Sequence, residues 1–193
     1  MISCWAKKLA KAITTNMNYG KDDVLWLGYA IEVLISSLIS VGIIVVGACV
    51  FHKMLYAILY LMLLVPFRKY SGGYHANTHF TCIILTSGLF YLALFFTKII
   101  CRINMWLIIA EYISGALLIL KICPVSSPNK IVEENEKPKY KKIALLILSL
   151  ESLFCLISDF FSPDISKFCF IIILFVLFAA LAGTVIPLSN GEN

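Results

Sequence analysis

Charged side chains are scarce in this sequence. Only 14% of its 193 residues are Asp, Glu, Lys or Arg, whereas about a quarter of the residues of a soluble domain are charged. Apolar runs of eighteen or more residues recur instead, and each is long enough to cross a hydrocarbon core of about 30 Å as a helix. The composition therefore excludes a soluble globular domain and predicts a single integral membrane domain over residues 1–193.

Paired cysteine motifs and metal-ligand spacings are also missing. The seven cysteines include no CxxC pair, and an odd, scattered set does not indicate a disulfide framework. We expect six of them to pack as small apolar side chains, while Cys82 is considered with its neighbours below. The sequence predicts neither a metal site nor a cofactor.

The N-terminal segment lacks the features of a secretory signal. Residues 1–23 contain four lysines and no apolar core of signal-peptide length. Ile2, Trp5 and Leu9 recur at helical spacing, with the lysines largely on other faces. This pattern predicts an amphipathic helix over residues 1–21 that lies in the membrane interface.

Six apolar runs follow this segment. They cover residues 24–51, 54–67, 80–97, 104–120, 143–161 and 168–188. The second run is short for a complete crossing, because about 20 apolar residues are needed. We therefore predict an all-α, polytopic integral membrane protein with about six transmembrane helices, one of them short enough to be a partial or re-entrant segment.

Lysine and arginine are distributed unequally between the two sides of a six-span arrangement. Twelve fall on the side that holds both termini, the 68–82 segment and the basic loop over residues 121–142, and four fall on the other side. The positive-inside rule places the richer side in the cytoplasm. The net charge of +5 thus indicates membrane topology and contact with anionic lipid rather than nucleic-acid binding.

The segment 68–82 combines two histidines with a cysteine between two apolar runs. A cysteine nucleophile needs a nearby base, and Cys82 has two candidates. In one continuous helix His79 lies one turn before Cys82, whereas His75 is roughly 10 Å away along the axis. His75 reaches the thiol only if the chain bends, and glycine before it permits that. These spacings leave either histidine as the base, and they also fit a polar loop without chemistry.

Several of these residues form a recognisable pattern. Arg68, Gly72-Gly73, His75-Ala76 and Cys82, placed after a proline and before a transmembrane run, resemble the motif of the accessory gene regulator B (AgrB) family. The piece Cys123-Pro124-Val125 with Pro128, Asn129 and Lys130 is similar to that family's later loop. The resemblance covers nearly the whole chain.

The resemblance implies a bacterial plasma-membrane cysteine endopeptidase that matures a quorum-sensing propeptide with an acidic C-terminal tail, called AgrD. Cys82 would attack the peptide bond before the tail with His75 as base, and the resulting thioester would close into a thiolactone or lactone. Arg68, Gly72 and Gly73 match positions that contact substrate or shape the loop. His79 lies outside the family motif and stays a rival base. A homodimer is also expected from the resemblance.

Acidic residues inside apolar runs suggest a different class of function. An acid within a span is costly and marks a candidate functional site. Glu111 is the deepest of them. Glu32 and Glu151 are close enough to a predicted cytoplasmic end to snorkel or to pair with loop lysines, and Asp159 is expected near the outer boundary. The alternative function is a small permease or export component that uses Glu111 and Glu32 without proteolysis. A non-catalytic membrane scaffold is a third.

Overall fold

The computed structural model describes residues 21–72, 79–124 and 134–185 of the chain. Within these ranges every regular element is an α-helix and no strand occurs. The helices are α1 (Lys21–Val50), α2 (Met54–Ser71), α3 (His79–Ile99), α4 (Met105–Ile122), α5 (Lys137–Phe161) and α6 (Pro163–Val185). The predicted all-α class is confirmed. The predicted interfacial helix lies outside the described residues, apart from its last residue.

Five of these helices are long and apolar enough to cross a membrane. The spans are Leu27–Val50, Phe80–Ile99, Met105–Ile122, Lys137–Phe161 and Pro163–Thr184. Helix α2 is not among them, because its last turns carry Pro66, Arg68 and Lys69 in place of apolar side chains. The sequence correctly singled out this segment as the short one.

Helix α2 nevertheless connects the two ends of the bundle. Near its start the ring of Tyr56 packs edge-on against Phe168 of α6, at 4.9 Å between centroids. Near its end the ring of Tyr70 lies 5.7 Å from that of Tyr140 in α5. Its core-facing side chains are buried, including the fully enclosed Phe67. One face of α2 thus packs inside the bundle, while its other face exposes apolar side chains such as Leu55, Ile58 and Met62.

Successive helices alternate in direction, so their connections collect at two ends. At the end we call the turn end, three short connections join α1 to α2, α3 to α4 and α5 to α6; there Arg102 pairs with Asp159 at 3.3 Å. At the other, the loop end, Lys141 donates from Nζ to the carbonyl of Leu120 at 2.6 Å. The helix ends that flank the 68–82 and 121–142 segments lie at this same end, as the count of lysine and arginine assumed.

One close contact between α1 and α3 requires glycine at position 47. Tyr91 of α3 donates its hydroxyl proton to the carbonyl of Ile43 in α1 at 2.9 Å. A Cβ atom built on Gly47 would lie 1.9 Å from the Tyr91 hydroxyl oxygen and 2.7 Å from the ring carbon that carries it. Gly47 thus gives the Tyr91 ring room to cross between the two helices.

We expect Gly47→Ala to lower the thermal stability of the detergent-purified protein, because overpacking a tight contact costs about 1–3 kcal/mol. Gly42→Ala in the same helix is the matched control, since nothing lies within 4 Å of its added Cβ atom. Alanine also favours a helix over glycine by up to about 1 kcal/mol. Equal melting temperatures for the two variants would contradict the packing assigned to Tyr91.

Candidate active site at the loop end

Cys82 lies in the first turn of α3, three residues after the helix begins at His79. Its thiol is free and its side chain is partly exposed. One turn further along, the carbonyl of Thr86 accepts a hydrogen bond of 2.6 Å from the hydroxyl of Tyr60 in α2. This bond fixes the start of α3 against α2. Cys82, the candidate nucleophile, therefore lies on a helix that is hydrogen-bonded to α2, where the apolar span begins at the loop end.

The opposite side of the connecting segment is the end of α2. Arg68 lies in the last turn of this helix, and Ser71 is fully buried. Gly72 follows with φ 72°, in the left-handed region that glycine adopts without strain. The helix therefore stops at Ser71.

The remaining predicted site residues cannot be placed relative to the thiol. Gly73 and His75 lie outside the described residues. Of His79 the structure describes only the backbone, at the first position of α3. The choice between His75 and His79 as base, and the assignment of Gly73 to loop shape, therefore stay predictions.

Sequence reasoning missed a contact that joins the two family-like segments. The thiol of Cys123, just after α4, donates to the carbonyl of Ser71 at 3.0 Å, and the contact is buried. Cys123 was expected only to pack. The available signal was its position directly before Pro124 in the second family-like piece. Its hydrogen bond attaches the later loop to the last residue of α2, directly before Gly72.

If the chain cleaves a propeptide as the family resemblance implies, we expect Cys123→Ala to slow that cleavage, because it removes the thiol that holds the carbonyl before Gly72. Cys123→Ser keeps a donor and should restore most of the rate, whereas the lost bond in the alanine variant costs about 1 kcal/mol of stability. Cys155→Ala is the control, since this buried thiol donates to the carbonyl of Ser166 at 3.3 Å, towards the turn end. The measurements are initial rate of tail release and melting temperature; equal rate losses for the two alanine variants would show a general packing effect.

The buried acids are arranged differently from the sequence prediction. Glu111 of α4 and Glu151 of α5 are 6% and 7% exposed. They lie at one level of the bundle, because the hydroxyls of Tyr112 and Ser149 are 3.2 Å apart across the same antiparallel interface. The prediction that Glu151 snorkels is wrong: the residue belongs to the inward-facing stripe of α5 that also buries Leu148 and Cys155.

These two acids have no hydrogen-bond partner for three of their four carboxylate oxygens within the described part of the chain. The acid that lies beside Glu111 in the bundle is Glu151, which the alternative function did not include. Asp159 pairs with Arg102 at the turn end, which agrees with its predicted place near a boundary. No group of three or more His, Cys, Asp and Glu side chains is arranged to hold a metal among residues 21–72, 79–124 and 134–185.

A cavity of about 520 Å³ opens at the turn end, between Tyr56, Tyr91, Lys98 and Lys167. It lies at the opposite end of the bundle from Cys82. Its position excludes it as the binding pocket for a peptide bond that Cys82 attacks.

Comparisons with a family model and with individual proteins give the same family. The profile of the family described as AgrB, accessory gene regulator B, matches residues 4–183. A protein of Clostridium perfringens strain SM101 named as AgrB-like is 28% identical over 157 residues, covering 78% of this chain and 73% of the relative. An AgrB-like protein of Clostridium beijerinckii is 29% identical over 163 residues, covering 83% and 78% respectively. No solved structure matches the chain.

Proposed function

The chain belongs to the accessory gene regulator B (AgrB) family, which acts in quorum-sensing peptide processing, and we propose that it is a membrane cysteine endopeptidase. Its substrate is a small AgrD-like propeptide with an acidic C-terminal tail. Cys82 is the nucleophile, His75 the base, and the product is a cyclic thiolactone or lactone peptide. The enzyme works in the bacterial plasma membrane with the loop end in the cytoplasm.

The observation that carries this proposal is the position of Cys82 among the described cysteines. Cys123, Cys155 and Cys169 are buried, as expected for packing. Cys49 and Cys101 are exposed, contrary to that expectation, but they lie at the turn end. Of the six cysteines within the described residues, Cys82 alone combines an accessible thiol with a place at the loop end.

In the first step the Cys82 sulfur attacks the carbonyl carbon of the bond that precedes the acidic tail. His75 takes the thiol proton and passes it to the amide nitrogen as the C–N bond breaks. The tail leaves as a peptide with a free amine, and the rest of the propeptide stays attached to Cys82 as a thioester.

In the second step an internal Cys or Ser side chain of the peptide attacks the thioester carbonyl. His75 takes the proton of the attacking thiol or hydroxyl, the new thioester or ester bond closes the ring, and the Cys82 sulfur leaves and receives that proton from His75. A thioester exchange is nearly balanced in energy, so competing water must be limited. Cys82 meets this need, since it is only partly exposed and opens an apolar span.

Positive charge at the loop end supports an acidic substrate. Arg68 and Lys69 end α2, and the start of α5 contributes Lys137, Lys139, Lys141 and Lys142. A concentration of one sign of charge raises the local concentration of an oppositely charged ligand and its rate of association. We propose that this end attracts the acidic tail and presents the preceding bond to Cys82.

The test is to trap the thioester. A propeptide whose ring-closing Cys or Ser is replaced by Ala can still acylate Cys82 but cannot cyclise. We expect the purified protein to gain the mass of the truncated peptide, and hydroxylamine to remove it. Peptide mapping should locate the adduct on Cys82. Complete release of the tail without any covalent adduct, in single-turnover samples quenched in acid, would overturn the covalent mechanism.

A permease without proteolysis is the second candidate function. The observation that favours it is the facing pair Glu111 and Glu151, whose buried oxygens lack partners in the described part of the chain. Such intramembrane acids are typical of ion and proton pathways. This function predicts that the purified protein never cleaves a propeptide, so the thioester experiment separates the two.

A further inference from the structure

The cavity at the turn end has no part in the proposed cleavage, since it lies across the bundle from Cys82. It opens between the end of α1, the start of α2, the end of α3 and the start of α6. Its volume of about 520 Å³ falls in the range of sites that bind small organic ligands. The residues around it determine which class of ligand it accepts.

The charged groups around the cavity are mostly cationic. Lys53, Lys98 and Lys167 line it together with one acid, Asp164. Lys167 pairs with Asp164 at 2.7 Å, so among the described lining residues no acid is left to neutralise the ammonium groups of Lys53 and Lys98. The Nζ atom of Lys53 lies 4.9 Å from the centre of the Tyr56 ring, and Lys98 is exposed at the last turn of α3. The cavity therefore favours an anion.

The other walls are apolar and continue onto the lipid-facing surface. Phe51, Tyr91, Leu94 and Phe95 contribute them, and Phe51 and Phe95 are 61% and 58% exposed on the flank of the bundle. The helices of three candidate spans end or begin here, at the level where headgroups of a membrane lie. A ligand held here thus has its anionic group among lysines and an apolar part along the aromatic flank.

We propose that this cavity binds an anionic phospholipid, with its phosphate at Lys53 and Lys98 and its acyl chains along Phe51 and Phe95. On the cytoplasmic side of membrane proteins, basic pockets between transmembrane helices hold anionic headgroups, and the lysines of this cavity offer the same chemistry at the other end of the bundle. The apolar flank favours the lipid over a free phosphate ion, which gains nothing from it. The bound lipid belongs to the leaflet opposite the catalytic loop. The site does not depend on whether Cys82 is a nucleophile.

The experiment counts lipids retained by the full chain in native mass spectrometry. Detergent-purified protein is titrated with phosphatidylglycerol and, separately, with phosphatidylcholine of the same acyl chains. We expect preferential retention of phosphatidylglycerol, and a roughly tenfold loss of this affinity in Lys53→Gln/Lys98→Gln, because each lysine near an anionic headgroup contributes measurably to binding. Leu94→Trp fills the cavity without changing charge and should reduce retention as well.

The matched control is Lys139→Gln/Lys142→Gln, which removes the same charge from exposed positions at the loop end. It should change retention by less than about twofold if the cavity, rather than net charge, holds the lipid. Equal losses in the two double variants overturn the site. Equal retention of the two lipids also overturns it. Stabilisation by inorganic phosphate as large as that by phosphatidylglycerol would assign the cavity to a free anion instead. Melting temperatures of all variants confirm that each is folded.

Discussion

Cys82→Ala is expected to abolish release of the C-terminal tail from an AgrD-like propeptide. Without the thiol no thioester forms, and a loss of roughly 10⁴-fold or more is typical when a covalent nucleophile is removed. The measurement is tail release followed by mass spectrometry, with purified protein and synthetic propeptide. Because Cys82 is partly exposed in the first turn of α3, alanine should leave the melting temperature nearly unchanged.

The other accessible thiols provide the controls for this variant. Cys49→Ala and Cys101→Ala alter exposed cysteines at the turn end and should retain full activity. If the Cys82→Ala variant still releases the tail, the proposal that Cys82 is the nucleophile of a protease is wrong. An essential role for a different cysteine, including Cys4 outside the described residues, would keep the reaction class but move the site. Cleavage by the wild type under these conditions also excludes the permease as the sole function.

The fold class followed from local properties of the chain. Apolar runs of bilayer length specify helices whatever their neighbours are. All six predicted runs therefore appear as helices, and five of them are candidate spans with ends shifted by up to six residues. The charge count grouped the connections correctly, because alternating helices allow only two ends. The short second run could be recognised as unusual, but which of its faces packs into the bundle depends on contacts such as Tyr56 with Phe168, which no local pattern contains.

Parts of the candidate site could not be predicted for the same reason. A cysteine or glutamate in an apolar run looks alike whether it faces a partner, a cavity or lipid. The rotation of α5 turns Glu151 inward towards Glu111, and the end of α4 brings Cys123 to the Ser71 carbonyl. Both outcomes are set by packing between elements far apart in sequence. Motif residues, in contrast, were identified by their mutual spacing, which needs no tertiary information.

Replacing each of the two candidate bases, His75 and His79, is expected to give the second large effect. His75→Asn is expected to slow thioester formation by about 10²–10⁴-fold, the contribution of a positioned general base. His79→Asn is expected to slow it by less than about tenfold, since the proposed proton transfer does not use that ring. The measurement is the single-turnover rate of acylation with the propeptide that cannot cyclise. Asparagine retains a polar side chain of similar reach in both positions.

The third histidine completes the comparison. His52 is exposed in the turn between α1 and α2 with φ 53°, a left-handed conformation that asparagine also adopts. The His52→Asn variant should therefore be acylated at the wild-type rate.

Gly72 has left-handed geometry as well and ends α2 before His75. Such a residue permits a change of chain direction, which His75 needs in order to approach the start of α3. His79, by contrast, needs no bend, because it precedes Cys82 by one turn of the same helix. A large loss in His79→Asn with little loss in His75→Asn would therefore mean that the helix alone assembles the catalytic pair, and that the double glycine serves substrate entry instead.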